Sequence, residues 1–159
     1  MTGIVQTTSL GVFAAILSIA AWRDWQTLQI ANLFPLTIAG IFAIWALSGY
    51  LGGRLSVGEV GLAAAGAGAL LAVGAIAFAV GMLGGGDVKL LASAGLFAVP
   101  RYLVAFLLVV ALAGGALSIA VLLGIKTGAT SPDGGRRRLP YGPAIAAGGL
   151  WVTAARLFA

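Results

Sequence analysis

The chain has 159 residues, of which 61% are hydrophobic and 8% are charged, with a net charge of +5. Soluble domains carry about a quarter charged residues, so this composition predicts a membrane protein, and the length predicts a single domain over residues 1–159. Because cysteine and histidine are both absent, disulfides, cysteine-ligated zinc, cysteine nucleophiles and Ser-His-Asp arrangements are excluded. The excess basic charge is expected to meet anionic lipid. Nucleic-acid binding is not expected, because the basic residues are scattered apart from one short run.

Hydrophobic runs of membrane-crossing length recur along the chain. A helix needs about 20 apolar residues to cross the hydrocarbon core. Four runs reach this length easily: 4–22, 33–51, 58–82 and 102–124. The run 141–158 is slightly shorter, and the segment 88–99 would extend only about 18 Å as a helix. The predicted fold class is therefore an all-α polytopic membrane protein, a bundle of about six transmembrane helices with a short fourth one.

The distribution of lysine and arginine predicts the orientation of this bundle. If all six segments cross, the loops 23–32, 83–89 and 125–140 share one side and carry six basic residues, against three on the other side. Basic residues favour the cytoplasmic side of a membrane. We therefore expect these three loops in the cytoplasm and both termini outside. If 88–99 entered the membrane and returned, the "GGRRR" loop would lie outside, against this rule.

The third run is rich in small residues at four-residue spacing. Gly61, Ala65 and Ala69 would lie on one face of a helix. Small side chains let helix backbones approach closely inside a membrane. We expect this face to pack against a neighbouring helix.

Four acidic residues occur in the chain, and two of them have simple structural explanations. Glu59 opens the third run, where an acid favours the helix N-terminus, and Asp133 lies in the turn-forming sequence "SPDGG". Asp24 and Asp87 both lie at the membrane edge on the predicted cytoplasmic side. Taken singly, Asp87 is explained as the N-cap of the fourth helix and Asp24 as a charge beside two interfacial tryptophans.

Taken together, two neighbouring carboxylates have a specific chemistry. Close carboxylates cannot both ionise comfortably, so one keeps its proton at neutral pH. The ionised partner can take a proton from a water that attacks a peptide carbonyl, and the protonated partner can donate to the leaving amine. This route requires no metal and no cofactor. The glycines at 84–86 fit such a site, because they let another backbone approach closely.

Three stretches carry a resemblance to the type IV prepilin peptidases, which are Gly-x-Gly-Asp membrane aspartyl proteases. "GGGDVKLLASAG" is similar to the pattern Gly-x-Gly-Asp-x-Lys-Leu. The residues that match this pattern in register are Gly84, Gly86, Asp87, Lys89 and Leu90. "DWQTLQIAN" resembles the upstream Asp followed by Ile-Pro-Asn, and it supplies Asp24, Ile30 and Asn32. "LPYGPAIAAGG" resembles the Pro-Phe-Gly-Pro start of the last helix, and it supplies Pro140, Tyr141, Gly142 and Pro143.

The resemblance implies an activity and a set of site residues. Asp24 and Asp87 would be the catalytic pair on the cytoplasmic side of a bacterial or archaeal inner membrane. Other matched residues would bind substrate or shape the site: Gly84, Gly86, Lys89, Asn32, Pro140, Gly142 and Pro143. The implied substrate is a prepilin or pseudopilin with a short basic leader, a glycine before the cleaved bond and then a hydrophobic helix.

Larger family members carry a cytoplasmic insertion with paired Cys-x-x-Cys motifs that is linked to N-methylation. This chain has no cysteine and resembles the short form of Flp/Tad-type pilus systems, which implies peptidase activity alone. The chain departs from the family pattern at Ala31, where the family has proline, and at Gln26 and Gln29, where basic residues are common.

Other interpretations stay open at this stage. Lys89 is explained either as a positive-inside anchor or as a group that acts on Asp87 or on an acidic residue of the substrate. A proton-coupled transporter or channel subunit could use the same acids to carry protons. A purely structural scaffold would need neither acid, and a preflagellin-like substrate would fit the same protease chemistry.

Overall fold

The computed structural model of the protein describes residues 2–124 and 139–158. Within them the chain forms six α-helices: α1 (Thr2–Thr27), α2 (Leu33–Leu51), α3 (Val57–Ala79), α4 (Gly85–Ala98), α5 (Leu103–Leu122) and α6 (Gly142–Phe158). The predicted turn at Asp133 and the basic run 136–138 lie outside the described residues.

Four of these helices, α1, α2, α3 and α5, are long and apolar enough to cross a membrane. Helices α4 and α6 are shorter, with 14 and 17 residues. The chain is a helical, multi-pass membrane protein, which confirms the class predicted from composition.

Helix α1 is longer than predicted. Residues 22–27 contain no glycine or proline to end it, so the helix continues to Thr27 and Asp24 lies within its last two turns. It ends at Leu28, which has a left-handed φ of 53° and whose N–H donates to the carbonyl of Asp24 at 2.8 Å.

Helices α1, α2, α4 and α6 form a four-helix core in which each packs on two others, in the order α1, α2, α4, α6 and back to α1. Aromatic rings fill its centre. Phe13 stacks on Phe97 with ring centroids 4.2 Å apart, and Phe42 meets Phe97 edge-on at 5.3 Å. Helix α3 packs outside this core on α4, and α5 packs outside it on α6. These two outer helices therefore expose most of their apolar side chains, as expected for lipid contact.

The packing face of α3 differs from the predicted one. Gly61, Ala65 and Ala69 are exposed, whereas Ala63 and Ala67 are buried against the bundle. The face is set by larger α4 side chains that fit over α3 glycines: a Cβ on Gly74 would lie 2.6 Å from Val88. Small-residue spacing alone could not distinguish the two faces, because small residues cover both.

The bundle end that carries the C-termini of α4 and α6 is held by Arg156. Its Nε donates to the carbonyl of Phe97 at 2.7 Å, and its guanidinium lies 4.7 Å from the ring centroid of Trp45. At the start of α3, Glu59 and Ser56 form a capping box, which confirms the capping predicted for Glu59.

Candidate active site

The residues that carry the family resemblance meet at the end of the bundle opposite Arg156. This end brings together the C-terminus of α1 and the N-termini of α2, α4 and α6. Three contacts join these helix ends: Asp24 with Gly142, Gly86 with Ile30, and Lys89 with Asn32.

Asp24 is buried, with 3% of its surface exposed, and points at the start of α6. Its Oδ2 accepts a hydrogen bond of 2.7 Å from the N–H of Gly142. That N–H has no partner inside its own helix, and a helix N-terminus stabilises negative charge. A Cβ on Gly142 would lie 2.7 Å from the Cβ of Asp24, so this approach requires glycine.

Prolines flank this contact. Pro140 is fully buried just before α6. Pro143 lies in the first turn of α6, where its missing N–H leaves no helical hydrogen bond unmade. The "PYGP" sequence therefore fixes where α6 begins. It thereby also fixes the position of the Gly142 N–H, which donates to Asp24.

Asp87 lies in the first turn of α4, but not as its N-cap. Gly84 occupies the N-cap position, and its N–H donates to Oδ2 of Asp87 at 3.1 Å. Asp87 thus caps the helix from the third position, the acidic half of a capping box. A Cβ on Gly84 would lie 2.7 Å from this oxygen. The N-cap prediction was wrong by one turn, because glycine can take the cap position itself.

The protein's own backbone occupies the space beside Gly86. A Cβ on Gly86 would lie 2.9 Å from both the Cβ and the carbonyl oxygen of Ile30. The clearance that the glycines provide is therefore used by the α1–α2 connection. Through this contact, the α1–α2 connection, which follows Asp24, packs directly against the first turn of α4, which carries Asp87.

A second contact holds the same connection. Lys89 Nζ donates to Oδ1 of Asn32 at 2.8 Å. Asn32 is at the N-cap position of α2, yet its side chain makes no capping bond. The turn that has Ala31 in place of the family's proline is thus fastened to α4 on both sides of Asp87, by Gly86 and by Lys89.

This pairing predicts a measurable coupling. In a double-mutant cycle of Asn32→Ala and Lys89→Met, we expect the effects on the free energy of unfolding in detergent to be non-additive by about 0.5–1 kcal/mol. The reason is that each single change removes the same hydrogen bond. Additive effects would show that the two side chains do not interact.

A cavity of about 370 Å³ lies next to Asp87, between α4, α5 and α6. It is lined by Leu83, Asp87, Leu91, Val110, Ala111, Gly114, Gly115, Ser118, Tyr141 and Ile145. Tyr141 lines this cavity beside Asp87, and the next residue, Gly142, donates a hydrogen bond to Asp24. Two adjacent residues at the start of α6 therefore border the surroundings of both aspartates. The contribution of α5 was not predicted. Its only sequence signal is the small-residue stretch "ALAGGALS" at 111–118 within a run of larger apolar residues.

The fold and the comparison with known families define the class of protein. A helical membrane bundle carries this site, and a model of the type IV leader peptidase family matches residues 11–119. The chain belongs to that family, and it is therefore a membrane protease, which confirms the resemblance seen in the sequence. No curated protein and no solved structure matches the chain. The matched range includes Asp24 and Asp87, while 140–143 lies beyond it and reaches the site through Gly142.

Proposed function

We propose that the protein is an aspartic endopeptidase that removes the short basic leader from type IV prepilins or pseudopilins. The observation that carries this proposal is the position of Asp24 and Asp87. Both lie at one end of the bundle, and each accepts a hydrogen bond from a backbone N–H at a helix N-terminus. Tyr141 lines the cavity beside Asp87, and the next residue, Gly142, is the one that donates to Asp24.

In the proposed reaction, one aspartate is ionised and the other protonated. The ionised carboxylate takes a proton from water as the water oxygen bonds to the carbonyl carbon of the scissile peptide. The protonated carboxyl then gives its proton to the leaving nitrogen, and the C–N bond breaks. The products are the leader, which ends in a glycine carboxylate, and a pilin with a new amino terminus. The fixed N–H donors orient both carboxyl groups before substrate binds.

We place this reaction at the cytoplasmic face of a bacterial or archaeal inner membrane. The site end carries Arg23 and Lys89, consistent with the preference of basic residues for the cytoplasm. Successive helix ends alternate between the two ends of the bundle, which supports six crossings with both termini outside. The lack of cysteine supports the short Flp/Tad-type form, a single peptidase domain over 1–159 without methyltransferase activity.

The test is a reconstitution of the purified protein in proteoliposomes with a leader-bearing prepilin. We expect release of the leader and a single new N-terminus directly after the glycine, identified by mass spectrometry. A pH-sensitive dye inside the vesicles should report no proton flux above that of empty liposomes. Proton flux without cleavage would replace the proposal with the proton-coupled transporter, and neither activity would favour the scaffold.

A further inference from the structure

The cavity beside Asp87 is apolar apart from that carboxylate and two hydroxyl groups, those of Tyr141 and Ser118. The hydroxyl of Ser118 donates to the carbonyl of Gly114 at 2.8 Å, so it is satisfied within α5. The rest of the lining offers aliphatic side chains and glycine. Such a surface binds apolar groups, because their transfer from water and lipid headgroups into an apolar cavity is favourable in free energy.

The cavity is open at its α5 wall. Helix α5 packs on α6 and barely touches α4, and Ala111 and Gly115 are exposed. A Cβ on Gly115 would meet no heavy atom within 4 Å. Gly115 therefore borders empty space, unlike Gly114, where a Cβ would lie 3.4 Å from the ring of Tyr141.

Resting on the proposed function, we propose that this cavity binds the large apolar side chains directly after the scissile bond, and that Gly115 sets the size it accepts. A volume of about 370 Å³ holds one or two such side chains and is too small for a whole helix. The proposed catalytic Asp87 forms its wall, so an occupant is adjacent to the reacting carbonyl. The leader is basic, whereas the segment after the cut is hydrophobic, so the latter fits the lining.

The test uses one prepilin in three forms, with Ala, Leu or Phe as the first residue after the cleaved bond. The wild-type protein in proteoliposomes should cleave the Leu and Phe forms with a higher kcat/KM than the Ala form. Gly115→Leu should lower kcat/KM for the Phe form at least tenfold and for the Ala form less than threefold. The matched control is Gly68→Leu on α3, where a Cβ also meets nothing within 4 Å; it should change neither value.

An equal loss for all three substrates, or no loss for the Phe form, would overturn the assignment of the cavity. If Gly115→Leu fails to accumulate, Ala111→Leu narrows the same cavity from one turn earlier and should give the same discrimination. A wild-type protein that cleaves none of the three forms would instead refute the proposed function, and this inference with it.

Discussion

Replacing either Asp24 or Asp87 with asparagine is expected to abolish leader removal while the protein stays folded. Asparagine keeps an oxygen that can accept the N–H of Gly142 or of Gly84, so the backbone contacts of each site survive. It cannot take or give the proton that the proposed reaction requires. Loss of one acid or base group costs about 10²- to 10⁴-fold in rate, so each variant should fall below detection in a membrane assay.

The matched control for this experiment is Glu59→Gln. Glutamine can also complete the capping box with Ser56, and this acid lies at the start of α3, remote from the site. We expect normal leader removal from this variant at equal protein levels. Leader removal within tenfold of wild type by Asp24→Asn or Asp87→Asn would contradict the two-carboxylate mechanism. A matching loss in Glu59→Gln would show that the effect comes from folding.

The second large effect concerns the three consecutive glycines at 84–86. Gly86→Ala should destabilise the protein by about 1–3 kcal/mol, the usual cost of forcing a methyl group into filled space. The added carbon would lie 2.9 Å from the backbone oxygen of Ile30, which cannot rotate away. The shift would also move the α1–α2 connection, so leader removal should fall at least tenfold.

Gly85→Ala is the paired control, because the two changes differ by one position in the same helical turn. The nearest atom to a Cβ on Gly85 is 3.5 Å away, in the ring of Phe78, which is ordinary contact. The stability of the Gly85→Ala variant, measured as its unfolding midpoint in detergent, should match or slightly exceed that of the wild-type protein, because alanine is favoured over glycine in helices. Equal effects of the two substitutions would disprove the close approach of Ile30.

Features that depend on local sequence were predictable from the chain. The apolar runs predict all six helices, and the position of Glu59 at the start of the third run predicts a cap that the structure contains. Asp24 could be assigned to the membrane edge but not to a helix, because the end of α1 depends on the conformation of Leu28. The position of Asp87 within its turn was similarly missed, since a glycine N-cap has no side chain to signal it.

Contacts between distant segments were not predictable. Lys89 and Asn32 are 57 residues apart. From the sequence, Lys89 is explained as a positive-inside anchor and Asn32 as part of the motif that follows Asp24, and neither explanation brings the two side chains together. The α5 lining of the cavity depends on how α5 is placed against α6. The family motifs lie at the helix ends, where the chemistry is proposed, and none of them includes the middle of α5.

The weak contact between α5 and α4 has a consequence for how this protein can change over generations. Helix α5 is held mainly along α6, where Phe106 is fully buried. Ala111 and Gly115 line the cavity from exposed positions, away from that buried contact and from the Asp24–Gly142 hydrogen bond. If the proposed function holds, substitutions at these two positions are expected to alter which pilin is accepted while both carboxylates keep their places.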